Sequence, residues 1–91
     1  MMKRIAIQVK GKVQGVFYRA STVTKAQQLG VRGFVRNEPD GSVYLEAEGD
    51  EVSLNELIAW CKVGPPRAFV DEVIVETYST LGSFTDFRVS R

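Results

Sequence analysis

Histidine is absent from this chain of 91 residues, and that absence narrows the chemistry more than any residue present. Without it the chain lacks the commonest general base and the commonest metal ligand. A single cysteine, Cys61, excludes an internal disulfide and any CxxC redox or zinc pair. Charge of one sign is also missing: 12 basic residues face 11 acidic ones, net +1, with no run of like charges. That balance argues against nucleic acid or a membrane surface as the main partner, whereas a compact anion site needs only one or two local charges. No segment approaches the roughly eighteen apolar residues of a membrane span. Met1-Met2-Lys3-Arg4 leads directly into an alternating strand and not into the apolar run of a signal peptide. The expectation is a soluble, cytoplasmic protein of one domain over residues 1–91, with an ordinary core supported by 44% hydrophobic residues.

Periodicity supplies the elements. Ile5, Ile7 and Val9 alternate with polar residues, the period-two pattern of a half-buried strand. From about Arg19 to Leu29 the spacing becomes helical, with Tyr18, Thr22, Ala26 and Leu29 on one face and Gly30 as the C-cap. Gly33–Asn37 and Ser42–Glu48 read as a hairpin around the turn Glu38-Pro39-Asp40-Gly41. Val43, Leu45 and Ala47 are assigned to the buried face, and Tyr44, Glu46 and Glu48 to a wet face without chemistry. Asp50 or Ser53 opens a second helix with the stripe Leu54, Leu57, Ile58 and Cys61, which stops at Gly64-Pro65-Pro66. Cys61 is read as a packed, inert thiol and Trp60 as partial packing. Val73 and Val75 mark a fourth strand, where Asp71 and Glu72 can pair with nearby cations, and Phe87 and Val89 mark a short fifth strand. The order strand-helix-strand-strand-helix-strand predicts an α+β domain with two helices on one face of an antiparallel sheet.

That topology makes one stretch informative: Gly11-Lys12-Val13-Gln14-Gly15-Val16-Phe17-Tyr18-Arg19. A glycine-bearing loop running into a helix start gathers backbone N–H groups around one point, and an arginine there adds a permanently charged fork for oxyanions. The first and second strands run parallel with the third between them, so the loop and Asn37 reach the same sheet edge. Strands separated by one neighbour lie roughly 10 Å apart, a gap that an arginine and a phosphate can fill. Asn37 can accept a hydrogen bond from a water and donate to a phosphoryl oxygen. Gly15 lets the backbone approach a ligand closely, while Gly11 is read as a turn residue. Tyr18 is expected in the core and Phe17 near the cleft mouth. Gln14 either contacts substrate or is a solvated loop residue, and Asp40 forms the turn.

An arginine, an amide cradle and an asparagine, with no base and no required metal or cofactor, suit a mixed carboxylic–phosphoric anhydride. Its carboxylate leaves without protonation, unlike the alkoxide of a phosphate monoester. At this point the chain resembles the acylphosphatase family. One family signature is similar to Gly11–Arg19, and a second to Gly33-Phe34-Val35-Arg36-Asn37 followed by Gly41, Val43 and Gly49. Gly64-Pro65-Pro66, Val73 and the Phe87–Val89 ending also fit. The resemblance implies a ferredoxin-like α/β sandwich that hydrolyses acyl phosphates to a carboxylate and inorganic phosphate. It implies phosphate binding by Arg19 and the amides of Gly15, Val16, Phe17, Tyr18 and Arg19, and a water positioned by Asn37. Tyr18 stands where the family more often has phenylalanine. A monomer acting on a small molecule is expected, with no metal. The alternatives are a non-catalytic anion-binding module on the same fold and, far behind it, a single-stranded RNA binder. Arg32-Gly33-Phe34 opens like an RNA-binding strand, but Val35-Arg36-Asn37 follows where stacking aromatics belong.

Overall fold

A computed structural model describes residues 2–79, 81–82 and 84–90. The elements are β1 (Met2–Lys12), α1 (Tyr18–Leu29), β2 (Arg32–Asn37), β3 (Val43–Asp50), α2 (Glu51–Cys61), β4 (Phe69–Tyr78) and β5 (Phe87–Val89). They form one sheet in the order β4-β1-β3-β2-β5. β3 runs antiparallel to both β1 and β2, so these two are parallel and their C-terminal ends share an edge, as the element order requires. The expected fold is the observed one with a refinement at its margin. β5 pairs with β2 in parallel, which makes the five-stranded sheet mixed where an antiparallel one was expected.

Local chemistry fixes the helix ends. Gly30 closes α1 in the left-handed region (φ 72°), its N–H reaching the Ala26 and Gln27 carbonyls. Asp50 caps α2 by accepting from the Ser53 N–H at 2.9 Å, which settles the choice between the two. α2 ends at Cys61, short of the expected Gly64-Pro65-Pro66 stop. The Trp60 carbonyl instead takes the amides of Val63 and Gly64, and Gly64 turns the chain at φ 69°.

The core lies between the helices and one sheet face. Ile5, Ile7, Val9, Val35, Val43, Leu45 and Ala47 from the strands meet Tyr18, Ala26, Leu54, Leu57 and Cys61 from the helices. Burial of each large aliphatic side chain here is worth about 1.5–3 kcal/mol, which is what holds two short helices in place. Cys61 is fully buried, and burial pushes its thiol up to about 12, so the reading of an inert, packed cysteine stands. Trp60 packs partly buried against this cluster, as expected.

Three expectations need correction. Gly11 is no turn residue: it lies within β1 at a register shift, with φ 132°, where β4 passes so close that a Cβ would overlap the Phe69 carbonyl. Asp71 and Glu72 are exposed on edge strand β4 and form no ion pair among the described residues. The face opposite the helices is not simply wet. Glu48 is only 5% exposed, and its Oε2 accepts the Gly82 N–H at 2.6 Å. Glu46 takes the Arg4 guanidinium at 2.6 and 3.1 Å and the Tyr44 hydroxyl at 2.7 Å. Phe84, on the chain returning from β4 to β5, packs edge-on against Phe34 at 5.8 Å. A return segment covers polar residues that alternation alone assigns to water.

Candidate active site

The site begins where β1 ends. Val13 and Val16 are buried at 1% and 4% exposure and pin the loop to the core from inside. Between and beyond them, Gly15 (φ 73°) and Phe17 (φ 63°) are both left-handed. Alternating backbone handedness of this kind turns successive N–H groups toward a common point, a concavity that fits an anion. For glycine the conformation is free; for phenylalanine it costs about 1 kcal/mol or more.

α1 starts directly from this loop without a side-chain cap and without an acidic residue in its first turn. α2, by contrast, has Asp50. A helix start leaves its first N–H groups without intrahelical partners. Among the described residues, the amides from Gly15 to Ala20 donate to no protein acceptor. The loop therefore presents a row of donors at the positive end of a helix dipole, where a dianion is stabilised. Arg19 is the second residue of α1, half-buried, and forms no ion pair among the described residues.

Across the edge, Asn37 ends β2 opposite Val43. Its Oδ1 is buried and has no hydrogen-bond partner among the described residues. A buried amide oxygen left so costs about 1–3 kcal/mol, and such an exception in a native chain asks for a reason. The turn after it is well tied. The Glu38 N–H donates to the Ser42 carbonyl at 2.8 Å, and Asp40 accepts from the Ser42 N–H at 2.9 Å and hydroxyl at 2.6 Å. The Ser42 hydroxyl, then its N–H, hold the Asp40 carboxyl below the usual carboxylate range. Asp40 is thus the turn former expected.

Gln14 is not a solvated loop residue but a partly buried bridge. Its Nε2 donates to the carbonyls of Glu38 at 2.8 Å and Ser42 at 3.0 Å, bridging the loop to the residues that follow Asn37. The two halves of the site are thereby held to each other by a side chain.

A cleft of about 480 Å³ opens between them, lined by Val13, Gly15, Phe17, Tyr18, Arg19, Ala20, Asn37 and Val89. Of the residues expected from sequence, Gly15, Phe17, Tyr18, Arg19 and Asn37 meet there. Val16 turns its side chain into the core and leaves the site only its backbone. Phe17 is 74% exposed at the rim, as expected, and Tyr18 is 1% exposed below it. Val13, Ala20 and Val89 were not foreseen. Val89 arrives through the parallel pairing of β5 beside Val35, a long-range contact that local pattern does not encode.

Comparison with known proteins gives the family and the fold. Residues 5–89 match the acylphosphatase family. The acylphosphatase of Methylococcus capsulatus (strain Bath) is 52% identical over 90 residues, 99% of this chain and 98% of its own length. Among solved structures, an acylphosphatase from Coxiella burnetii superimposes with a TM-score of 0.94 at 40% identity, over 98% of this chain and 93% of that one. The acylphosphatase from Bacillus subtilis superimposes with a TM-score of 0.95 at 31% identity over the whole of both chains.

Proposed function

The chain belongs to the acylphosphatase family, and from that premise we propose that the cleft between the loop and Asn37 is where it hydrolyses acyl phosphates. The observation that carries the reading is Asn37, its Oδ1 without a hydrogen-bond partner among the described residues, lining the same cleft as an uncapped helix start and Arg19. The free loop amides, Arg19 and Asn37 line one space. A phosphoryl group supplies the acceptors, and a water supplies the donor.

In this mechanism the amides from Gly15 to Arg19 and the Arg19 fork bind the phosphoryl oxygens and share the charge that spreads over them in a loose transition state. Asn37 Oδ1 accepts a hydrogen bond from water and aims its oxygen at phosphorus. The new P–O bond forms as the bond to the carboxyl oxygen breaks. The carboxylate leaves as the anion, so no general acid is needed, and both water protons remain with the product as dihydrogen phosphate. The cleft lining offers no histidine, thiolate or carboxylate. Charge stabilisation is therefore assigned to Arg19 and the amides, and a chelator is expected to leave turnover unchanged.

Phosphate release from benzoyl phosphate tests it. Arg19→Ala should lose about 10³-fold or more in kcat/KM, as charge-stabilising arginines do in phosphoryl transfer. Asn37→Ala should lose about 10²-fold through a misaligned water. Turnover near wild type in Arg19→Ala would overturn the assignment. Phosphate binding without turnover in the wild type would favour an anion-binding module instead.

A further inference from the structure

Phe17 is an odd choice at its position. The loop needs left-handed backbone at residues 15 and 17; the first is glycine, which adopts it freely, and the second is phenylalanine, which does not. The ring gains nothing from the fold in return. It lies outside the core cluster and is 74% exposed, while its neighbours Val16 and Tyr18 are buried at 4% and 1%. An aromatic side chain is thus held in water, on strained backbone, at the rim of the cleft that contains Arg19 and Asn37. Strain of this sort persists where it serves a site. Val89, 40% exposed, adds a second apolar side chain to the same cleft.

An acyl phosphate has two ends. Once the phosphoryl end is engaged by the amides and Arg19, the organic group on the carboxyl must leave the polar pole of the cleft. We propose that Phe17 is a specificity-determining residue that packs, with Val89, against this group and makes the enzyme prefer aromatic or other large apolar acyl phosphates over acetyl phosphate. The inference rests on the hydrolase reading above and names its substrate class. An open rim discriminates at the lower end of what apolar pockets achieve, about ten-fold.

The test is the ratio of kcat/KM for benzoyl phosphate to that for acetyl phosphate in wild type, Phe17→Gly, Phe17→Asn and Phe17→Leu. Glycine and asparagine accept the left-handed backbone, so folding is not at risk. Intrinsic reactivity of the two substrates cancels when ratios are compared between variants, and a loosened cradle lowers both rates together. The ratio should fall about ten-fold in Phe17→Gly and Phe17→Asn, while Phe17→Leu keeps most of it. Equal losses on both substrates, or an unchanged ratio, would overturn this inference alone. A wild type that hydrolyses neither substrate would remove the hydrolase reading, and this inference with it.

Discussion

Removing one oxygen from Tyr18 probes how the loop is anchored. The Tyr18 hydroxyl donates to the Cys61 carbonyl at 2.7 Å, linking the first residue of α1 to the last of α2. The final carbonyls of a helix lack intrahelical partners. In α2 the Ile58 and Trp60 carbonyls are served by following amides, and Tyr18 serves Cys61. In Tyr18→Phe the ring keeps its place beside Trp60, 5.4 Å between centroids, but Cys61, fully buried, is left with an unpaired acceptor. That costs about 1–3 kcal/mol, more than the net value of an exposed hydrogen bond. For a domain of this size the melting temperature should fall by roughly 5–20 °C. Urea unfolding followed by Trp60 fluorescence reads the same change, with a lower midpoint at constant slope. A variant within about 0.5 kcal/mol of wild type would refute the reasoning, because it would mean the carbonyl finds another donor.

Two further expectations follow from the strands. Gly11→Ala places a Cβ inside the contact distance of the Phe69 carbonyl and the Asp71 amide at a backbone angle alanine avoids; a loss of about 2–3 kcal/mol is expected by denaturant unfolding, and a neutral result would mean the β1–β4 bulge is not constrained. Burial pushes the Glu46 carboxyl up, but hydrogen bonds from Arg4 and Tyr44 and the charges of Arg4 and Arg36 outweigh it and hold the group below its ordinary value of 4.5. Its contribution to stability is present above that value and is lost as pH falls through the lower, folded one. Glu46→Gln should therefore flatten the acid limb of the urea midpoint measured against pH, and parallel wild-type and variant curves would contradict the pairing.

Much of this was legible in the chain. Period-two and helical spacing locate β1, β2, β3 and both helices because each buries one face, and the two glycine signatures place Arg19 and Asn37 at one edge once the strand order is known. What stayed hidden depends on contacts between distant segments. Of β4, local pattern shows only Val73 and Val75, because an exposed edge strand need not alternate strictly; it runs from Phe69 to Tyr78. Glu48 looks like a solvated residue until the return segment near Gly82 lies over it. Gln14 has no local signal for its bridge, since its acceptors lie 24 and 28 residues away. Gly11 and Gly15 are equivalent as letters, yet one yields to a neighbouring strand and the other to the curl of the cradle.

The central claim is that one phosphoryl group is held between the loop amides, Arg19 and Asn37. Titration of the isotopically labelled protein with inorganic phosphate, followed by amide and side-chain NMR shifts, tests it most directly. The account predicts that the amides from Gly15 to Arg19 and the Asn37 carboxamide shift together along one saturating curve, which Arg19→Ala abolishes. Shifts confined to another surface, or a response that survives Arg19→Ala unchanged, would contradict it.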